Sequence, residues 1–303
     1  MTPFVLVLVA PAEARAPLAD LAAAVSRSSP AADWSKPRWL GEGEAIEVPF
    51  DAPDAGVAKA IRERAASENR DLPVDICVVP AIERRKKLLL ADMDSTIIGQ
   101  ECIDEMADVL GIKPEIAAIT ERAMRGELAF EEALRARLGL LAGISESQLE
   151  AVWRERVVLN PGARTLVATM RKAGAMTALV SGGFTFFTSR VARAAGFDIN
   201  FANVLEMNGD RLTGNVVGPI LGREAKLATL ERLRDERKLA ASETLAVGDG
   251  ANDLAMIGAA GLGVAYRAKP VVATQADAAV NHADLTALLY LQGYHRSEFV
   301  QAG

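Results

Sequence analysis

Two kinds of segment alternate along this chain: short apolar runs, as in buried strands, and longer stretches of alanine, leucine and charge, as in helices. Over the first 85 residues the pattern predicts strands at Phe4–Ala10, Ala45–Phe50 and Val74–Val79, with helices at Ala16–Ser26 and Ala55–Ala66. That β-α-β-α-β order fits a small α/β or ferredoxin-like module. The charged tract Glu83–Lys87 reads as a linker and solvated face. Next, Leu88–Ala91 predicts a buried strand with Asp92 and Asp94 at its end. A helical region from Gln100 to Trp153 follows, broken at Gly111–Pro114, Gly126 and Gly143–Ser145, with Ser145 and Gln148 spaced as a capping box. Three or four helices inserted there would lie over the carboxyl edge of the strand, as a cap.

The alternation then resumes. A helix at Pro161–Ala173 leads to a strand at Met176–Val180 that ends in Ser181-Gly182-Gly183, and a helix at Phe186–Ala195 follows. Asn208-Gly209 is a strong hairpin signal. A helix at Arg223–Arg237 precedes the strand Thr244–Val247, which runs into Gly248–Asp253; strands at Leu262–Tyr266 and Ala278–Val280 and a helix at Leu285–Leu291 close the chain. Strands alternating with helices predict a doubly wound parallel sheet. The expected division is an N-terminal domain over 1–85, a core over 86–99 and 160–303, and a cap over 100–159.

The 303 residues carry 34 basic and 40 acidic side chains, a net charge of −6, with no long basic run. That argues against nucleic acid or an anionic membrane as the main partner, and requires local positive groups to hold any anionic substrate. Mean hydropathy is +0.14, and no run reaches the length of a membrane span, so a cytoplasmic protein is expected. Two cysteines, Cys77 and Cys102, make no disulfide framework or zinc pattern, and His282 and His295 read as surface or capping residues.

Three strand ends carry polar groups suited to one reaction: Asp92 and Asp94, then Ser181 with two glycines, then Asp249, Asn252 and Asp253. Residues two apart on a strand point the same way, so Asp92 and Asp94 would face one spot, and their repulsion calls for a cation. Hard oxygen ligands beside a phosphate site suggest Mg²⁺. Glycine after Ser181 lets backbone N–H groups approach an anion, and Lys226 supplies a positive point charge. An EF-hand counted from Asp92 fails, because Ile97 and Ile103 fall where its glycine and glutamate belong. No P-loop is present, and Gly248–Asp253 ends in an acid that would repel a pyrophosphate.

DMDST (92–96), SGG (181–183), Lys226 and GDGAND (248–253) resemble the four ordered motifs of the haloacid dehalogenase superfamily. Within it, ECIDE (101–105), AMRGELAFEEALRARL (123–138), VSGGF (180–184) and AVGDGANDLAM (246–256) are similar to the phosphoserine phosphatases. The resemblance covers about residues 86 to 290. It implies a doubly wound α/β core with a helical cap, and Mg²⁺-dependent hydrolysis of O-phospho-L-serine through an aspartyl-phosphate, the last step of serine biosynthesis.

By the same resemblance Asp92 is the nucleophile and Asp94 the general acid and base, its carbonyl joining the Asp92 and Asp249 carboxylates around the metal. Ser181, Gly182 and Lys226 hold phosphate oxygens, Asn252 contacts the phosphoryl region, and Asp253 orients Lys226 or the metal's waters. Glu101 meets the substrate ammonium and Arg137 its carboxylate; spacing alone does not choose between Arg135 and Arg137, and the family match does. Met124 and Phe130 are the apolar cap residues that exclude water. Related enzymes carry an ACT-like regulatory module at the N-terminus, so residues 1–85 are expected to regulate or to form a homodimer. The same residues would serve a phosphotransferase to an alcohol such as homoserine, or a phosphatase for another small ester; a non-catalytic amino-acid sensor is the rival of a different kind.

Overall fold

The computed structural model describes residues 1–14, 16–69, 72–125 and 127–301, without the side chains of Ala12 and Met124. The N-terminal unit comprises β1 (Thr2–Val9), α1 (Leu18–Ser28), β2 (Asp33–Trp34), β3 (Arg38–Gly41), β4 (Ala45–Ala52), α2 (Ala55–Glu68) and β5 (Asp75–Pro80). Its strand order is β2-β4-β1-β5, with β1 antiparallel to both neighbours and β3 also pairing with β4. This is the arrangement of a split β-α-β unit, compatible with a ferredoxin-like module. Strand alternation sends Phe4, Leu6 and Leu8 into a core shared with α1 and α2, and Val5, Val7 and Val9 to the opposite face. The short strands β2 and β3 were not expected: each is too brief to show a period, and Pro37 between them reads as a turn.

The second unit begins at β6 (Leu88–Asp92). Leu89 and Ala91 enter one hydrophobic core and Leu88 and Leu90 the other, so both faces are covered and the strand reads as unbroken apolar sequence. Four helices follow, α3 (Cys102–Val109), α4 (Lys113–Met124), α5 (Phe130–Leu140) and α6 (Glu146–Arg156). The capping box at α6 is formed: the Gln148 N–H donates to Ser145 Oγ and the Ser145 N–H to Gln148 Oε1. The two strands of chain that enter and leave the cap pair at their base, Ile98 opposite Leu159.

Beyond the cap run α7 (Ala163–Lys172), β7 (Met176–Phe184), α8 (Thr185–Ala195), β8 (Ile199–Asn208), β9 (Arg211–Val217), α9 (Arg223–Glu236), β10 (Thr244–Gly248), α10 (Leu254–Ala259), β11 (Leu262–Tyr266), α11 (Pro270–Ala273), β12 (Ala278–Val280) and α12 (Ala287–Leu291). The sheet order is β12-β11-β10-β6-β7-β8-β9, parallel except at β9, which is the return strand of the expected hairpin. β6 is therefore central, flanked by the two strands whose ends carry the other motifs.

The tract 83–87 is not a solvated linker. Its residues alternate, Glu83, Arg85 and Lys87 outward and Arg84 and Lys86 inward. Arg84 donates to Glu47 at 2.6 Å and to the Leu291 carbonyl at 3.0 Å, and Lys86 to the carbonyls of Glu83 and Ser242. Asp75 at the start of β5 accepts the N–H groups of Asn281, His282 and Ala283. The outer face of the N-terminal sheet thus packs on the C-terminal segment, in one continuous core with Leu289, Tyr290 and Phe299. Among the described residues no helix is long and apolar enough to cross a membrane.

Candidate active site

Register brings the three motif-bearing strand ends together. Asp92 stands level with Val180, one residue before Ser181, and Ala91 is level with Val247, two residues before Asp249. The strand stops at Asp92, and the chain turns through Met93–Ile97 with Ser95 in the left-handed region at φ 53°. Asp94 therefore reaches the same cavity by way of the turn and not by strand alternation. Both carboxylates line that cavity, of about 610 Å³.

Asp92 is buried, and its Oδ1 accepts from the Met93 N–H at 2.7 Å and from Lys226 at 2.8 Å. Among the described residues its Oδ2 has no hydrogen-bond partner. Asp94 is held at both oxygens, Oδ1 by the Cys102 N–H at 3.0 Å and Oδ2 by the Ser181 hydroxyl at 3.1 Å. Burial raises the Asp94 pKa, against the lowering pull of those hydrogen bonds. The Gly183 N–H donates to Ser181 Oγ at 2.8 Å, and a side chain at Gly183 would crowd both Ser181 and Asp94.

Lys226 lies on the inward face of α9 with Thr229, Leu230 and Leu233, where a helix would ordinarily place an apolar residue. Its ammonium, 1 % exposed, bridges Asp92 and Asp253, the latter at 2.7 Å. Burial works against that charge, but the two carboxylates outweigh it and hold the lysine above its ordinary pKa. Asp253 spends its other oxygen on the N–H groups of Asp249 and Gly250. Asp92 is pushed well up by burial and by the charge of Asp253, with Lys226 opposing; Asp249 is pushed to about 6, again mainly by burial.

The cluster therefore holds more negative than positive charge, in a setting that penalises both. Carboxylate oxygens of Asp92, Asp249 and Asp253 lie within 4.8 Å of one another. All are hard donors, and the surplus charge is what a divalent cation would neutralise, so the residues fit one. Because Asp253 is fully engaged, Asp92 and Asp249 are the carboxylates free to hold it.

The cap supplies the other wall. Glu101 lines the cavity and accepts from Ser95 Oγ at 2.7 Å; desolvation by the surrounding protein and then the charge of Asp94 push it up to about 7. Arg137 also lines the cavity, donating to the Ala133 carbonyl at 3.2 Å and to Thr120 at 3.4 Å, whereas Arg135 points outward to Glu131. Burial lowers the Arg137 pKa against the charges of Asp104 and Glu101. Phe130 stands over Gly182 and Gly222, Gly182 and Asn252 line the cavity, and the Met124 side chain lies outside the described residues. His282 and His295 are exposed, and both cysteines are free and buried.

Asn203 escaped the sequence. Buried in β8, it donates to the carbonyls of Gly182 and Gly183 and accepts from the Leu221 N–H, tying the Ser-Gly-Gly end to the segment before α9. A polar residue inside an otherwise strand-like run was its only signal. Thr120, Asp104 and Lys269 also line the cavity unannounced.

A helical cap over a carboxylate–lysine centre, at the carboxyl edge of a doubly wound sheet, defines a class of α/β enzyme. The haloacid dehalogenase-like hydrolase family matches residues 89–258, and the chain belongs to that family. A phosphoserine phosphatase of Streptomyces coelicolor is 46 % identical over 240 residues, 78 % of this chain and 58 % of that one. One from a Polaromonas species is 48 % identical over 210 residues, 68 % of this chain and 89 % of its own. The crystal structure of a probable phosphoserine phosphatase from Vibrio cholerae, in unliganded form, superposes with a TM-score of 0.77 at 32 % identity, over 96 % of this chain and 86 % of that one. The chain thus spans little more than half of the Streptomyces relative and nearly all of the Polaromonas one.

Proposed function

We propose that this chain hydrolyses O-phospho-L-serine to L-serine and phosphate through an aspartyl-phosphate at Asp92, with Mg²⁺ held by Asp92, Asp249 and the Asp94 carbonyl. The observation that carries the reading is Asp92 itself, one oxygen fixed by Lys226 and Met93 and the other without a hydrogen-bond partner among the described residues. Its free oxygen attacks phosphorus as the bond to the serine oxygen breaks. Asp94 delivers a proton to that leaving oxygen; its raised pKa suits it to carry one. Asp94 then takes a proton from water, whose oxygen attacks phosphorus, breaking the bond to Asp92 and freeing phosphate. A bound divalent cation would screen the phosphate from the carboxylates.

Lys226, Ser181 and the Gly182 N–H would meet the non-bridging oxygens as charge builds. Asn252 would contact the phosphoryl region, and Asp253 would hold Lys226 in place. Glu101 and Arg137, one acid and one base on the cap, match an ammonium and a carboxylate. Phe130 and Met124 would exclude water. The test is phosphate release from a panel of small phosphomonoesters, with and without homoserine. O-Phospho-L-serine leading the panel, with stoichiometric phosphate in both cases, is expected. Phosphate withheld when homoserine is present would make the chain a phosphotransferase.

A further inference from the structure

The cavity is poor in positive charge for an anionic ligand. Asp92, Asp94, Glu101, Asp104 and Asp249 line it, against Arg137 and Lys269. Lys226 is buried behind Asp92 and committed to two carboxylates. Lys269, exposed at the core side of the cavity, makes no ion pair among the described residues. Its backbone is nonetheless fixed: its N–H donates to the Asp249 carbonyl at 3.3 Å, and Pro270 starts α11 directly after it. Lys269 thus places a point charge with no ion pair among the described residues on a fixed backbone, in the cavity wall beside Asp249–Asn252.

We propose that Lys269 captures the phosphate of the incoming substrate and holds product phosphate before release, its ammonium pairing with a non-bridging oxygen. The proposal rests on the phosphomonoester reading. With a net charge of −6, the molecule offers no global attraction for an anion, so capture must be local. Lys226, held between two carboxylates, cannot reach out to do this. A flexible stem suits capture, and a fixed ammonium suits the later steps.

The test compares wild type with Lys269→Gln and Lys269→Arg, using O-phospho-L-serine as substrate and inorganic phosphate as competitive inhibitor at two ionic strengths. Lys269→Gln is expected to raise KM and the phosphate inhibition constant together by about tenfold, the scale of one charge-assisted hydrogen bond. It should leave kcat nearly unchanged and flatten the salt dependence of kcat/KM. Lys269→Arg should restore most of the affinity. An unchanged phosphate inhibition constant in Lys269→Gln overturns the proposal, and so does a change confined to the Mg²⁺ requirement, which would make Lys269 a support for Asp249. If the wild type releases phosphate from no ester, the functional reading fails by itself. Calorimetric binding of inorganic phosphate then decides on Lys269: binding weakened in Lys269→Gln supports the proposal, and equal binding overturns it.

Discussion

At Gly248 a Cβ would collide with the Asp253 side chain, and Asp253 is what holds Lys226 on the side away from Asp92. Gly248→Ala should therefore cost roughly a hundredfold in kcat by misplacing the ammonium, with far-ultraviolet circular dichroism unchanged. Glu101 yields a prediction with a sign. Its pKa of about 7 lies above the ordinary glutamate value, so the free protein favours the neutral form. Ionisation between about pH 4.5 and 7 then costs stability, while it gives the substrate ammonium its partner. Glu101→Gln should raise Tm at pH 8 and leave it unchanged near pH 4, while raising KM for phosphoserine at pH 8. The ratio of wild-type to variant kcat/KM should fall as pH drops through 7, a comparison in which the substrate's own titration cancels. At this scale the candidate residues Asp92, Ser181, Lys226 and Asp249 were legible, because they sit in motifs. Their partners were not: the bonds that Asn203 makes across three segments depend on a register that no local pattern encodes.

The cap is fastened by an element that the sequence announced for another reason. Asn208-Gly209 marked a hairpin, and the β8–β9 hairpin it closes reaches the loop between α5 and α6. There the Gly143 N–H donates to the Leu212 carbonyl, the Leu212 N–H to Ile144, and Arg211 to the Gly143 carbonyl. Gly214, at φ 89°, brings β9 against the backbone of α5 at Leu138 and Gly139. Glu150 of α6 also pairs with Arg190 of α8 at 2.8 Å. Gly214→Val combines a strained backbone with a clash, and should destabilise the chain by about 2 kcal/mol in urea unfolding. Hydrogen exchange should quicken in α5 and the hairpin together; exchange rising in the hairpin alone would mean that the cap does not depend on it. Element types were readable because their periods differ, and the α6 capping box was readable residue by residue. The length of β7 was not, since Ser181-Gly182-Gly183 looks like a turn yet continues the strand to Phe184.

Across the whole molecule, the first 85 residues act as part of the wall of the core. Val5, Val7, Val9 and Cys77 pack in the same hydrophobic cluster as Leu289, Tyr290 and Tyr294, and Glu47, 2 % exposed, pairs with Arg84. Asp75→Ala would strand the N–H groups of Asn281, His282 and Ala283 at that junction. A loss of about 3 kcal/mol is expected, with a single unfolding transition for the whole chain. Two transitions, with only the first shifted, would show that the N-terminal unit folds independently. The sequence distinguishes the two units by their patterns but suggests an exposed linker between them. Charged residues at alternate positions look solvated in a list, and only the fold reveals that Arg84 and Lys86 point inward to carbonyls and Glu47.

The most direct measurement is a rapid-quench experiment with ³²P-labelled O-phospho-L-serine and Mg²⁺, wild type beside Asp92→Asn. A covalent intermediate at Asp92 should give acid-stable, hydroxylamine-labile label on the wild type within one turnover, no label on Asp92→Asn, and loss of at least about a thousandfold in kcat. Asp92→Asn that still turns over near the wild-type rate, or a wild type that releases phosphate without ever carrying label at Asp92, would contradict the covalent mechanism.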